Sequence, residues 1–215
     1  MENNTNSLNI YSQYNNLIAL HVTPGHFVTS SSHINYYIDM TSLKTRRNEA
    51  KAAAKALVQE YVTSTIIDTI VCLDGTDIIG AYLADELTSA GIMSANINNT
   101  VYIITPEQNS VGQLIFRENY MSMIRDKNIL VLLATATTGK TVRTALECIE
   151  YYGGKIAGVS SIFSAASEIH GQKINTIFTS ADIPDYATYR ASECPLCQGN
   201  QTINAIVNSF GYAKF

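Results

Sequence analysis

Apolar residues along this chain recur with two periods, and the changes between those periods mark its elements. Ile129 to Leu133 is a continuous apolar run, as expected of a strand buried on both faces. Ala134 to Lys140 is small, polar and turn-prone, and beyond it Val142, Ala145, Leu146 and Ile149 recur at helical spacing. A strand therefore runs through a tight loop into a helix start. The same unit occurs earlier: a strand over Ile66 to Leu73, a loop at Asp74-Gly75-Thr76-Asp77, and a helix over Ile78 to Ser89. Ala50, Ala53, Ala54, Leu57, Val58 and Tyr61 predict a helix over Thr45 to Val62. Further strands are expected at Thr100 to Thr105, Lys155 to Phe163 and Ile174 to Ser180, the last two joined by a loop or short helix through His170. Pro106 to Phe116 reads as a long polar loop. Near the N-terminus, Phe27, Val28, Tyr36, Tyr37 and Ile38 suggest two short strands around a Ser-rich turn, preceded by a loose tail and a short helix over Tyr11 to Leu20. Asp182 to Asn200 is irregular, and Ile203 to Phe210 suggests a terminal helix.

Composition narrows the function classes. A chain of 215 residues can bury a substantial core and is most simply one domain. Its 14 Lys and Arg against 18 Asp and Glu leave a formal charge of −4, which gives no reason to expect nucleic acid as a partner. The largest basic cluster is Lys44, Arg46, Arg47. No apolar run approaches membrane-spanning length, and the N-terminus lacks a basic start followed by an apolar stretch, so the expectation is a cytoplasmic protein without a membrane partner.

The cysteines divide into two kinds. Cys72 and Cys148 lie in apolar segments and read as small core residues. Cys194 and Cys197 form CPLC, a knuckle spaced for a soft metal, but a structural zinc needs four ligands and there is no second CxxC. The expectation is therefore no metal held within one chain. The routes left open are completion by His21, His26, His33 or His170, or sharing across a dimer.

The loop after Leu133 carries the most specific chemistry. Orphan N–H groups at a helix start, the helix dipole and the hydroxyls of Thr137, Thr138 and Thr141 make an anion site of phosphate size over Ala136, Thr137, Thr138, Gly139, Lys140 and Thr141. As a string, Ala134 to Thr141 satisfies a relaxed Walker A pattern, which would make this a P-loop nucleotide-binding protein. A Walker A loop normally has Gly where Ala134 stands, and it needs a later apolar strand ending in Asp, for which no good candidate exists.

The stretch resembles, instead, the phosphate loop of the type I phosphoribosyltransferases: four apolar residues, two acidic, two apolar, then TTGxT. Here Ile129 to Leu132 is the apolar lead and Thr137 to Thr141 is TTGKT, while Leu133 and Ala134 occupy the places of the acidic pair. Gly25, Phe27, Ser30, Ser31 and Tyr37 are similar to the N-terminal hood of the orotate enzymes, with Phe27 and Ser31 at the base pocket. Asp74, Gly75, Thr76 and Asp77 are similar to their pyrophosphate loop, where the resemblance would have Asp74 and Asp77 hold Mg²⁺, and Asp182 to Asn200 to their CPxC ending.

The resemblance spans roughly Gly25 to Asn200 in order. It implies the type I fold: an α/β core over residues 45–181 with a mainly parallel sheet flanked by helices, an N-terminal tail and hood over 1–44, and a C-terminal segment over 182–215. It further implies a homodimer, a phosphorylated ribose or nucleotide as ligand, and Mg²⁺ if phosphoribosyl pyrophosphate binds. It names no catalytic residue. The mobile catalytic loop of the family is basic, whereas the corresponding places here are Ile104, Thr105, Gln108 and Ser110. Without those cations, and without carboxylates to meet an oxocarbenium-like transition state, transfer from phosphoribosyl pyrophosphate to orotate or another base should be slowed by orders of magnitude. The expected function is thus an orotate phosphoribosyltransferase-like binder of a phosphorylated ribose with weak or lost transferase activity. The alternatives are an active transferase with displaced catalytic groups, or a loop that merely caps its helix.

Overall fold

The computed structural model describes residues 7–89, 94–97, 99–110 and 112–214; residues 1–6 of the expected tail lie outside it. In chain order, β1 (Leu8–Tyr11), β2 (Ala19–Val28) and β3 (His33–Asp39) open the chain, followed by helices α1 (Thr41–Thr45) and α2 (Arg47–Leu57). Then come β4 (Thr69–Cys72), α3 (Asp77–Ser89), β5 (Tyr102–Ile104), the short strands β6 (Glu107–Gln108) and β7 (Leu114–Ile115), and α4 (Met121–Ile124). The chain continues through β8 (Asn128–Ala136), α5 (Lys140–Tyr151), β9 (Lys155–Ser164), β10 (Glu168–Ile169), β11 (Gln172–Thr179) and β12 (Thr188–Tyr189). It ends with α6 (Pro195–Gln198), β13 (Ala205–Asn208) and β14 (Gly211–Ala213).

Two sheets organise these elements. The core sheet runs β10-β11-β9-β8-β4-β5, parallel from β11 to β5. Its centre is fixed by strict alternation: Leu130, Leu132 and Ala134 of β8 face α2 and α3, while Ile129, Val131 and Leu133 face α4 and α5. Gly80 of α3 lies where an added Cβ would collide with Cys72 Sγ of β4, so this helix approaches the sheet too closely for any larger residue.

The second sheet, β12-β3-β2-β13-β14, is the hood; β1 and β13 share the edge of β2 opposite β3, β1 along its first residues and β13 along its last, so both ends of the chain build it. β13 pairs in parallel with β2, and β12 antiparallel with β3. Two expected helices are corrected here. Tyr11 to Leu20 gives way to β1, a turn and the start of β2, because Ile18, Leu20 and Val22 are buried at a spacing of two. Ile203 to Phe210 forms β13 and the turn after it, because Ala205 and Val207 face inward while Ile206 faces out. Short apolar runs do not separate the two periods by themselves.

Smaller differences have local causes. The expected helix from Thr45 to Val62 breaks at Arg46, whose backbone is extended, so α1 and α2 are separate. The connection through His170 is a tight hairpin, with His170 and Gly171 both at positive φ (51° and 74°) as a primed turn requires. The polar loop after β5 folds back on itself as β6 and β7. Among the described residues, no helix is long and apolar enough to cross a membrane.

Gly80→Ala tests the close α3–β4 packing. At an open helix position this change stabilises by up to about 1 kcal/mol. Here the expected outcome is the opposite sign, a loss of roughly 1–3 kcal/mol from overpacking, read from the urea midpoint at unchanged slope.

Candidate functional site

β4 and β8 end side by side, and the loops leaving them open into a cleft of about 570 Å³ beneath the hood. Its floor is Asp74 and the run Ala134 to Val142, and its roof includes Ser30, Ser31, Tyr37 and Asp39. The turn Asn208 to Gly211 between β13 and β14 supplies a further wall, and Gln108, Gly112 and Leu114 of the β6–β7 hairpin another. All six residues expected to bind phosphate line it.

The Ala136–Thr141 loop turns sharply into the start of α5. Gly139 caps α5 at φ 75°, and among the described residues no side chain caps the first N–H groups of the helix. Only glycine fits: besides the left-handed backbone, a Cβ there would lie 2.9 Å from Cγ2 of Ile169 on β10. Ser164 and Ala165 anchor the loop's entry through hydrogen bonds to the carbonyl of Ala136 at 3.2 and 2.8 Å. Lys140 is exposed at the rim and has no ion-pair partner among the described residues, whereas Arg143 one turn on pairs with Glu147.

Of the Asp74–Asp77 loop, only Asp74 reaches the cleft. Gly75 turns the chain at φ 74°. Thr76 is buried and its hydroxyl donates to the carbonyls of Leu73 and Leu132 at 2.8 and 3.1 Å, so it ties β4 to β8. Asp77 begins α3 and accepts a hydrogen bond from the Thr105 hydroxyl. Asp74, at φ 58°, is held above the usual carboxylate range by burial, against the opposing pull of Lys44 and the backbone N–H groups of Ala134 and Thr135. A carboxylate thus lies against the backbone of Ala134, although Leu133 and Ala134 themselves are packed into opposite faces of the core. One such carboxylate does not make a protein-built magnesium site, which needs several oxygen donors.

The base-pocket pair separates. Ser31 lines the cleft, but Phe27 is 6% exposed and packs with Ile34, Ala205 and Val207 inside the hood. It sits opposite Ile34 on the β2–β3 ladder, and Ile34 and Val207 rather than Phe27 line the cleft. The cleft also contains a residue that the sequence did not single out. Lys44 of α1 donates to the carbonyls of Asp74 and Ser209 at 3.0 and 2.5 Å, joining the floor to the β13–β14 turn, and burial lowers its pKa. Its only sequence signal was membership of a short basic cluster. Arg117, beside the β6–β7 hairpin, is engaged by both carboxylate oxygens of Glu107 and adds no cation to the cleft.

A second group of chemistry-bearing side chains lies under the hood. His26 on β2 and His33 on β3 are buried with their rings in contact, Nε2 to Nδ1 at 2.9 Å, and the CPLC segment meets them. His21 instead bonds Asn9, and His170 sits in the β10–β11 turn.

No protein-family model matches the sequence, and no curated protein does either. The solved structures give a different result. An orotate phosphoribosyltransferase from Mycobacterium tuberculosis superposes with a TM-score of 0.52 at 18% identity, over 77% of this chain and 93% of that one. The UMP synthase of Leishmania donovani does so at 0.53 and 13%, over 74% of this chain and 34% of that one. An adenine phosphoribosyltransferase from Thermoanaerobacter pseudethanolicus gives 0.50 at 12% identity, over 67% and 88%. The chain has the type I phosphoribosyltransferase fold. In it Thr137 to Thr141 follow a central strand of the sheet, with β4 and β5 before that strand in the chain and β9 to β11 after it.

The buried Asp74 makes a pH prediction. A carboxyl whose folded pKa lies above its unfolded value of 3.8 stabilises the fold below that value, and the contribution is lost as pH rises through the folded pKa. Asp74→Asn, which tolerates the same backbone, should remove this step. Urea stability of the two proteins, measured upward from pH 3.8, should converge for the wild type and variant at the acid end and diverge above it, with the variant the more stable.

Proposed function

We propose that this protein binds a phosphorylated ribose ligand in the cleft, with its phosphate on Ala136 to Thr141, and that its transferase activity is weak or lost. The observation that carries this reading is the pairing of a complete phosphate cradle with an incomplete catalytic apparatus. The cradle has Gly139 in the left-handed conformation, open helix N–H groups and Lys140 at the rim. A phosphate there gains charge-assisted hydrogen bonds and the field of a 12-residue helix.

The chemistry of transfer has fewer supports. Breaking the bond to pyrophosphate requires cations for the departing charge and anions for the ribosyl cation. Gln108, Gly112 and Leu114 face the cleft from the hairpin, and Leu133 is fully buried. Asp74 is the observation favouring the second reading, an active phosphoribosyltransferase: its carboxyl adjoins Ala134 and is a candidate to meet a ribose hydroxyl in place of the missing pair. If phosphoribosyl pyrophosphate is a ligand, Mg²⁺ comes with it as the counter-ion of the pyrophosphate, since the cleft offers few carboxylates of its own.

Calorimetry with ribose 5-phosphate, nucleoside monophosphates and phosphoribosyl pyrophosphate, with and without Mg²⁺, is the test. Magnesium-independent binding of the monophosphates is expected, and Lys140→Ala and Thr138→Val should each weaken it roughly tenfold. Binding left unchanged by both substitutions would remove the assignment. Pyrophosphate release above background with orotate or another base would establish the active reading in its place.

A further inference from the structure

We infer that His26, His33, Cys194 and Cys197 form a zinc site that fastens the C-terminal segment to the hood. One ligand atom from each of these four side chains lies within 4.8 Å of all the others. Cys197 Sγ is 3.3 Å from His33 Nδ1 and 3.6 Å from His26 Nε2, and Cys194 Sγ is 3.6 Å from the same His26 nitrogen. A tetrahedral zinc with ordinary Zn–N and Zn–S bonds places its nitrogen and sulfur ligands about 3.6 Å apart. The three nitrogen–sulfur separations lie close to that length, and the two nitrogens, 2.9 Å apart, need only spread slightly to admit the ion.

Three features make this more than a chance meeting of polar residues. The first is an orienting bond outside the cluster: His26 Nδ1 is 3.0 Å from the carbonyl oxygen of Gln201, which can only accept, so Nδ1 carries the proton and Nε2 turns its lone pair inward. The second is the turn of CPLC itself. Cys194 precedes α6, and Gln198 N–H donates back to its carbonyl at 3.1 Å, so both sulfurs project to the same side. The third is burial. His26 and Cys194 are fully enclosed and His33 nearly so, while Cys197 lies at the solvent edge and gives an ion its way in.

The donor set selects the metal. Two thiolates and two imidazoles in a tetrahedron suit zinc and not magnesium or calcium, which take oxygen. Binding releases the two thiol protons to solvent, and each imidazole ligates as the neutral ring, His26 with its proton on Nδ1 and His33 with its proton on Nε2. All four protein ligands are present, so no position is left for a water, and the site is structural. It joins β2 and β3 on either side of the Thr29–Ser32 turn to a segment more than 150 residues away in sequence, which agrees with the separation of 164 residues between His33 and Cys197.

The test uses the full chain, purified under reducing conditions, analysed for metal, stripped with chelator and titrated with Co²⁺. We expect one zinc per chain as purified or on reconstitution, a lower melting temperature after stripping, and a cobalt spectrum with tetrahedral ligand-field and thiolate charge-transfer bands. Cys197→Ser, at the exposed ligand where folding is least at risk, should reduce the charge-transfer band by about half, since one of two thiolates is gone. His26→Gln should abolish the tetrahedral spectrum. A reduced, folded protein that takes up no cobalt, or a spectrum indifferent to Cys197→Ser, would overturn the site. Ribose phosphate binding is measured separately, so this outcome and that of the cleft are independent.

Discussion

The burial of β8 on both faces is the constraint on which the rest of the molecule depends. Leu130, Leu132 and Ala134 bind one helical layer and Ile129, Val131 and Leu133 the other, so the strand is fixed in register and in height. Its carboxyl end then has one exit, the loop that Gly139 bends into α5. The same alternation continues to the carboxyl end of the strand, where Leu133 and Ala134 are both buried, one in each layer of the core.

The charge in the cleft comes from elements beside β8. Asp74 reaches the backbone of Ala134 and Thr135 from the end of β4, and Lys44 from α1 reaches Asp74 and Ser209. Both groups are partly desolvated, which disfavours their charged forms and makes their mutual attraction stronger than it would be in water. Lys44 also couples the floor of the cleft to the β13–β14 turn, so the shape of the cleft depends on where that turn lies.

The hood is where the two ends of the chain meet. β13 lies in parallel beside β2, β12 beside β3, and the His26–His33–Cys194–Cys197 cluster sits across that junction. Such closure of a very long loop has a large entropic cost, which hydrogen bonds between short strands offset only in part. A metal at the junction would make the closure a single cooperative event.

Local sequence was enough for the parts governed by short-range periodicity: the strand-loop-helix units at Ile66–Ser89 and Ile129–Tyr151, the hairpin at Gly25–Met40, and the order of motifs that carried the resemblance to phosphoribosyltransferases. The Thr137–Thr141 loop is legible because its N–H groups and hydroxyls come from a few consecutive residues. Tertiary structure alone decided what depends on long-range pairing. Ala205–Asn208 is a strand because it pairs with the last residues of β2, Phe27 is core because the last strands cover it, and Lys44 is held in the cleft by the carbonyls of Asp74 and Ser209. The CPLC knuckle shows the division most clearly. Its two sulfurs are visible as a motif, but their imidazole partners come from two strands near the other end of the chain, and only the closing of the hood sheet puts four donors around one point.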